Sequence, residues 1–190
     1  NIKSMGQFAF GQAVARTEDP RLLTGRGNYV NDVNLHRQAH GFVLRSPYPH
    51  AKILSIDTAE AEAAPGVLAV LTGADIQADG LGVTKVTFPY KRADGSPLFS
   101  VPHPGLVTDR VRFVGDYVAF IVAETVAQAK DAAELIFVDY EPLDAITDTA
   151  TAPEEGSPAV WDDCPDNISN IIHQGDKDAT DAAFEAADKI

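Results

Sequence analysis

The chain has a single cysteine among its 190 residues, Cys164, and that scarcity removes several classes at once. An internal disulfide framework, a four-cysteine zinc site and a self-contained iron–sulfur cluster all need more sulfur than one residue supplies. No apolar run reaches about 18 residues, so nothing reads as a membrane-crossing helix. The opening NIKSMGQFAFGQ has one lysine and no long apolar stretch, which does not read as a secretory signal. A cytoplasmic location is the resulting expectation. Positive charge is also short, with 15 Lys+Arg against 28 Asp+Glu and a net charge of -13. A nucleic-acid partner asks for the opposite sign, so no such partner is expected.

What is present is an ordinary globular composition, 45% hydrophobic and 23% charged. A unit of roughly 110 residues would bury on the order of two thirds of its unfolded surface, enough for an independent core. The charge is unevenly placed. Residues 1–140 hold 13 basic and 15 acidic side chains, whereas residues 141–190 hold 2 and 13. The acidic end also carries Val160, Trp161, Ile168, Ile171 and Ile172, more apolar weight than a solvated linker needs. It reads as an arm that lies along another surface, with the four residues Trp161, Ile168, Ile171 and Ile172 facing a neighbouring domain.

Two stretches follow one grammar. AKILSID (Ala51 to Asp57) alternates as a strand, TAEAEAA follows as a short helix capped by Asp57 with Glu60, and Pro65-Gly66 leads into the strand VLAVLT. YVAFIVAE (Tyr117 to Glu124) is a second strand. VAQAKDAAE is its helix, capped by Thr125 with Gln128 and facing inward through Val126, Ala129 and Ala133. ELIFVDYEPL returns from Glu134 as a strand. Both units are expected to join parallel neighbours, because a helix can carry the chain back where a tight turn cannot. The runs FIV and LIF suggest strands covered on both faces. A hairpin is expected between HGFVLRS (His40 to Ser46) and AKILSID, turning at Pro47–Pro49. The glycines and prolines from Gly73 to Pro104 predict turns rather than regular structure. RVRFVGD (Arg110 to Asp116) predicts a strand, and Thr180 or Asp181 caps a last helix.

Candidate chemistry is sparse. His36 and His40 have zincin spacing, but Arg37 stands where the general-base glutamate belongs and a strand begins at His40. Turn or surface histidines explain the pair. His50 and His103 lie between turn-forming prolines and read as structural. Gly25 and Gly27 lack the third glycine of a dinucleotide loop, since Val30 occupies that place. Leu81-Gly82-Val83-Thr84-Lys85 lacks phosphate-loop spacing, and Ser96 in DGSPL is no nucleophile elbow. Asp162-Asp163-Cys164 offers too few oxygens for calcium, and no cation near Cys164 is apparent to activate its thiol. The expected catalytic, cofactor-binding and metal-binding residues are therefore none.

Four blocks nevertheless carry a specific resemblance. RTEDPRLLTGRGNYVND, VLRSPYPHAKILSIDTAEAEAAPGVLAVLTGADI, DRVRFVGDYVAFIVAETVAQAKDAAELIFVDYEPLDAITD and GDKDATDAAFEAADKI stand in an order similar to the start of the molybdenum-binding large subunits of the xanthine dehydrogenase, aldehyde oxidase and aerobic carbon monoxide dehydrogenase family. The fourth block leans toward the carbon monoxide dehydrogenase type. Asp116-Tyr117 departs from the Glu-Pro common there. The resemblance implies an α/β (α+β) fold with three parts. Residues 1–35 would be an extended lead-in whose arginines hold neighbouring carboxylates, 36–145 an α/β-hammerhead domain, and 146–190 the acidic arm leading to a molybdenum-binding domain that the chain lacks. Large subunits of this family run to several hundred residues, so a piece that is not catalytic by itself is expected. The parent protein would be a molybdopterin-dependent oxidoreductase, with iron–sulfur clusters and FAD in partner chains or domains. The alternatives are a stand-alone small-ligand or protein-docking module and a split subunit that assembles with a separate catalytic chain.

Overall fold

The computed structural model describes residues 16–84, 86 and 88–187. The opening NIKSMGQFAFGQ, Lys85 and Asp188 lie outside them. The chain divides after Gln38 into two units. In the first, α1 (Asp19–Leu23) begins with proline in its first turn, where a missing N–H costs nothing. Arg16 pairs with Asp19 at 3.1 Å and Arg21 with Glu18 at 3.2 Å, matching the arginine–carboxylate contacts expected of the lead-in. A 3-10 turn follows at Val30–Asp32.

The second unit contains two three-stranded sheets. β1 (His40–Arg45), β5 (Tyr117–Ala123) and β3 (Val67–Thr72) form one, in that spatial order. β4 (Arg110–Val111), β2 (Ala51–Asp57) and β6 (Phe137–Pro142) form the other. Every pairing is antiparallel. The expected parallel units are thus corrected: each helix carries the chain out of one sheet and into the other. Between β2 and β3 lies only the one-turn α2 (Ala59–Glu62), shorter than the dozen or so residues a parallel crossover takes. Between β5 and β6, α4 (Val126–Glu134) spends its length covering the first sheet and then delivers the chain to the second.

The expected hairpin between β1 and β2 is also absent, since the two strands belong to different sheets. Ser46 stays tied to the first sheet, donating its N–H to Asp116 O at 2.9 Å and accepting from Gly115 N–H at 2.8 Å. Ala51 then enters the second sheet opposite Val111 and Pro142. The Pro47–Pro49 stretch is a corner between layers.

β5 is the strand on which both layers meet. Its Ala119, Ile121 and Ala123 point to one side, packing with Ala61 of α2 and Ala129, Ala132 and Ala133 of α4. Val118 points to the other, joining Ala51, Val107 and Val111. Ile56 and Val138 touch both clusters and bind the layers together. The phase of α4 differs by one position from expectation: Ala132 is buried beside Ala129 and Ala133, while Val126 is 45% exposed. In the LIF run only Ile136 is buried, because β6 is an edge strand whose Phe137, Asp139 and Glu141 face outward.

Local chemistry explains the remaining departures. Gly73–Ala78 is a helix, α3, where turns are predicted. Thr72 caps it, and Asp75 Oδ2 accepts from Thr72 N–H at 2.7 Å and from its hydroxyl at 2.9 Å. Those bonds, the backbone one foremost, hold the Asp75 carboxyl below its ordinary range. RVRFVGD is a strand only at Arg110–Val111 and then turns through Gly115, whose φ of +95° suits glycine. α2 is capped at Thr58, with Asp57 Oδ1 accepting from Ala59 N–H at 3.0 Å. The last helix, α5 (Lys177–Glu185), starts earlier than expected because Asp176 caps it through Ala179 N–H at 2.9 Å. No helix among the described residues is long and apolar enough to cross a membrane.

Candidate functional site

The chemistry-bearing side chains gather where the long connection between α3 and β4 meets the segment after β6. Backbone pairing sets this junction first. Phe99 N–H donates to Ser169 O at 2.9 Å, Ser169 Oγ donates to Phe99 O at 2.7 Å, and Ile171 N–H donates to Lys91 O at 3.1 Å. Asn167 folds the arm back on itself from a left-handed conformation, φ +55°. Its Nδ2 donates to Ala152 O at 2.9 Å and Pro158 O at 3.0 Å, and its Oδ1 accepts from Val160 N–H at 2.9 Å. All four bonding positions of the amide but one are thereby used.

Arg92 is the hub of the lower half. Its guanidinium pairs with Asp166, donates to Ile168 O and reaches Cys164 Sγ at 3.4 Å. Cys164 is buried, so the structure supplies the neighbouring cation that the sequence does not reveal. The contact with Cys164 foremost raises the Arg92 pKa, and Asp166 adds to it. Asp166 is held below the usual carboxylate range chiefly by the Ile168 N–H, which it accepts at 3.1 Å. The thiol is enclosed by a cation, a carboxylate and a carbonyl that already bond one another, which is a structural arrangement rather than an open nucleophile.

In the upper half, Arg110 pairs with Asp162 at 3.2 Å, and the Arg112 guanidinium lies over the Trp161 ring with 3.7 Å from Cζ to the centroid. Phe99 flanks the same ring at 6.2 Å between centroids. Trp161 and Ile168 are half-buried within this unit, whereas Ile171 and Ile172 are exposed. Two cavities flank Trp161. One of about 310 Å³ is lined by Phe99, Val101, Ile146 and Cys164, among others. The other, of about 270 Å³, includes His103, Arg112 and Tyr117.

The other sequence candidates do not assemble into a second site among the described residues. His40 opens β1 and His36 lies in the turn before it. His50 is buried with Nδ1 2.8 Å from Asp144 O. His103 O accepts from Thr84 N–H at 2.9 Å. Asp162 is spent on Arg110, and Ser96 belongs to a turn closed by Arg92 N–H to Ser96 O at 3.0 Å. Gly25 and Gly27 follow a helix, not the strand a dinucleotide loop requires. Among the described residues no group of three His, Cys, Asp or Glu side chains converges to hold a metal. The Arg112–Trp161 pair is what sequence reasoning missed. Its sole signal is two arginines spaced by two before a glycine turn.

Two small antiparallel sheets that exchange strands through short helices define an α/β-hammerhead domain. The sequence model described as "Aldehyde oxidase and xanthine dehydrogenase, a/b hammerhead domain" matches residues 24–144. The large subunit of nicotine 6-hydroxylase from Paenarthrobacter nicotinovorans is 38% identical over 180 residues, 95% of this chain and 21% of that protein. The large chain of carbon monoxide dehydrogenase from Afipia carboxidovorans is 38% identical over 187 residues, 92% of this chain and 22% of that one. Among solved structures, quinoline 2-oxidoreductase from Pseudomonas putida 86 superposes with a TM-score of 0.68 at 42% identity, over 77% of this chain and 18% of that one. A Cu,Mo-CO dehydrogenase superposes with a TM-score of 0.69 at 37% identity, over 94% of this chain and 22% of its counterpart. The chain belongs to the aldehyde oxidase and xanthine dehydrogenase family. It spans about a fifth of the length of the curated relatives it matches.

Proposed function

We propose that this chain is the N-terminal structural domain of a molybdenum hydroxylase large subunit, and that it braces a catalytic centre to which it contributes no ligand. The observation that carries this reading is the identity of 38% sustained through 92–95% of the chain with relatives named as large subunits. The chain's own residues agree with a bracing role. Among the described residues no three donors converge, the one cysteine is enclosed by Arg92 and Asp166, and Arg92 is spent on Asp166 and the Ile168 carbonyl. These residues do not fit a molybdenum cofactor, so no step of a reaction is assigned to them. The partners in this reading are the remainder of the large subunit and the iron–sulfur and FAD subunits, in the cytoplasm, with the molybdopterin cofactor held outside residues 1–190.

Reading the gene beyond the codon for Ile190 tests the assignment. A frame that continues for several hundred codons is the expected result. A stop codon at that point would favour the split subunit instead. The purified 190-residue chain is expected to carry no molybdenum, iron or flavin and to oxidise no aldehyde or heteroaromatic substrate. Stoichiometric molybdenum in that sample would overturn the bracing role.

A further inference from the structure

The cavity of about 270 Å³ beside Trp161 is built differently from the rest of the junction. Val107, Phe113, Tyr117 and Trp161 give it apolar and aromatic walls, and Arg112 is its guanidinium. The neighbouring Arg92 and Arg110 each have a carboxylate partner. None of the ion pairs among the described residues includes Arg112. Its Nη1 donates to Arg110 O at 3.3 Å, while its buried Nε has no acceptor. Asp116 lines the same cavity but is already spent on the backbone. Its Oδ2 accepts from Arg112 N–H and its Oδ1 from Tyr117 N–H, each at 3.0 Å. Burial pushes the Arg112 pKa down and Arg110 adds to it, while Asp109, Asp116 and Asp162 oppose the shift.

The geometry points to a binding site for a small planar carboxylate carried on a single aromatic ring. Arg112 Nη2, which makes no hydrogen bond among the described residues, matches a carboxylate oxygen, and the aromatic walls match a flat apolar body. The volume lies at the low end for small-molecule sites, which suits one ring. Asp109, Asp116 and Asp162 outnumber Arg110 around Arg112, so the surrounding charge opposes a phosphate dianion and a single carboxylate would be held by the guanidinium's own donors.

Trp161 is the only tryptophan in the chain, so its emission reports on the two cavities that flank it, and the residues whose amides shift tell them apart. Benzoate titrated into the 190-residue chain is expected to change that emission saturably. Benzamide, which has the shape without the charge, is expected to bind at least about tenfold more weakly. Arg112→Gln should lose about tenfold or more in benzoate affinity, and Arg112→Lys should retain part of it. Amide shifts in the unaltered chain provide a second readout that needs no variant, and benzoate should move Arg112, Tyr117 and Trp161 together. An acidic side chain of another polypeptide carries the same group, so N-acetyl-glutamate amide forms the comparison arm. Tighter binding of that compound than of benzoate would overturn the aromatic acid as the ligand. No saturable change, equal binding of benzamide, or shifts confined to other residues would overturn the site.

Discussion

Thr125 and Gln128 satisfy each other twice at the start of α4. The Gln128 N–H donates to Thr125 Oγ1 at 3.2 Å, and the Thr125 hydroxyl donates to Gln128 Oε1 at 2.8 Å. The helix they begin covers the first sheet, so this cap is coupled to the main core. Thr125→Ala is expected to cost about 1 kcal/mol, read as a lower denaturant midpoint at unchanged slope. Thr125→Ser should recover most of it.

The same glutamine closes over Gly66, which links α2 to β3. Gly66 has φ +79°, and a Cβ built there would come 2.1 Å from Gln128 Nε2. Gly66→Ala combines that clash with a backbone conformation that alanine disfavours, and should cost about 1–3 kcal/mol. Adding Gln128→Ala should return the steric part and leave the backbone part. A double-mutant cycle in thermal unfolding separates the two.

The inward face of α4 is tested by two aspartates. Ala132→Asp buries an unpaired charge against Ile121 and should cost about 3 kcal/mol or more, enough to lower the melting temperature markedly. Val126→Asp, at a position 45% exposed, should stay within about 0.5 kcal/mol. Equal effects at the two sites would place the helix in a different phase.

Docking of the arm should depend on acid. The Ile168 N–H foremost, then Cys164 and Arg92, hold the Asp166 carboxyl below its ordinary value of 3.8. A carboxyl lowered in the folded state contributes stability above its unfolded value, and that contribution fades as pH falls through the folded one. Amide exchange at Phe99 and Ile171, whose N–H groups bridge the arm and the long connection, should therefore quicken below about pH 4. In Asp166→Asn that acid-dependent step should vanish while exchange at neutral pH rises.

Much of this architecture could be read one strand at a time. β2 and β3 fall where alternation and the Pro65-Gly66 stop place them, and the Thr125–Gln128 cap is as expected. Strand partnership was not legible, because periodicity describes a single strand and says nothing of which edge it meets. Helix α3 was hidden by Gly73, which sits where a Cβ would come 2.2 Å from Val107 O and so reads locally as a breaker. The candidate site was the least legible part. Arg92 and Asp166, or Arg112 and Trp161, are joined only by the fold, and no spacing rule connects residues so far apart.

The exchange of strands between sheets bears on how the molecule is made. β5 is the middle strand of its sheet, yet it follows both of its neighbours, β1 and β3, in the chain. β2 likewise waits for β4 and β6, the last of which ends at Pro142. During synthesis the second sheet cannot close until Pro142 has left the ribosome, and the first cannot close until Ala123 has. Until then VLAVLT, an uncharged run, has no hydrogen-bonding neighbour. Such delayed, long-range closure favours slow folding and a period of vulnerability to aggregation. The nascent chain, more than the finished domain, is the stage at which a chaperone would matter.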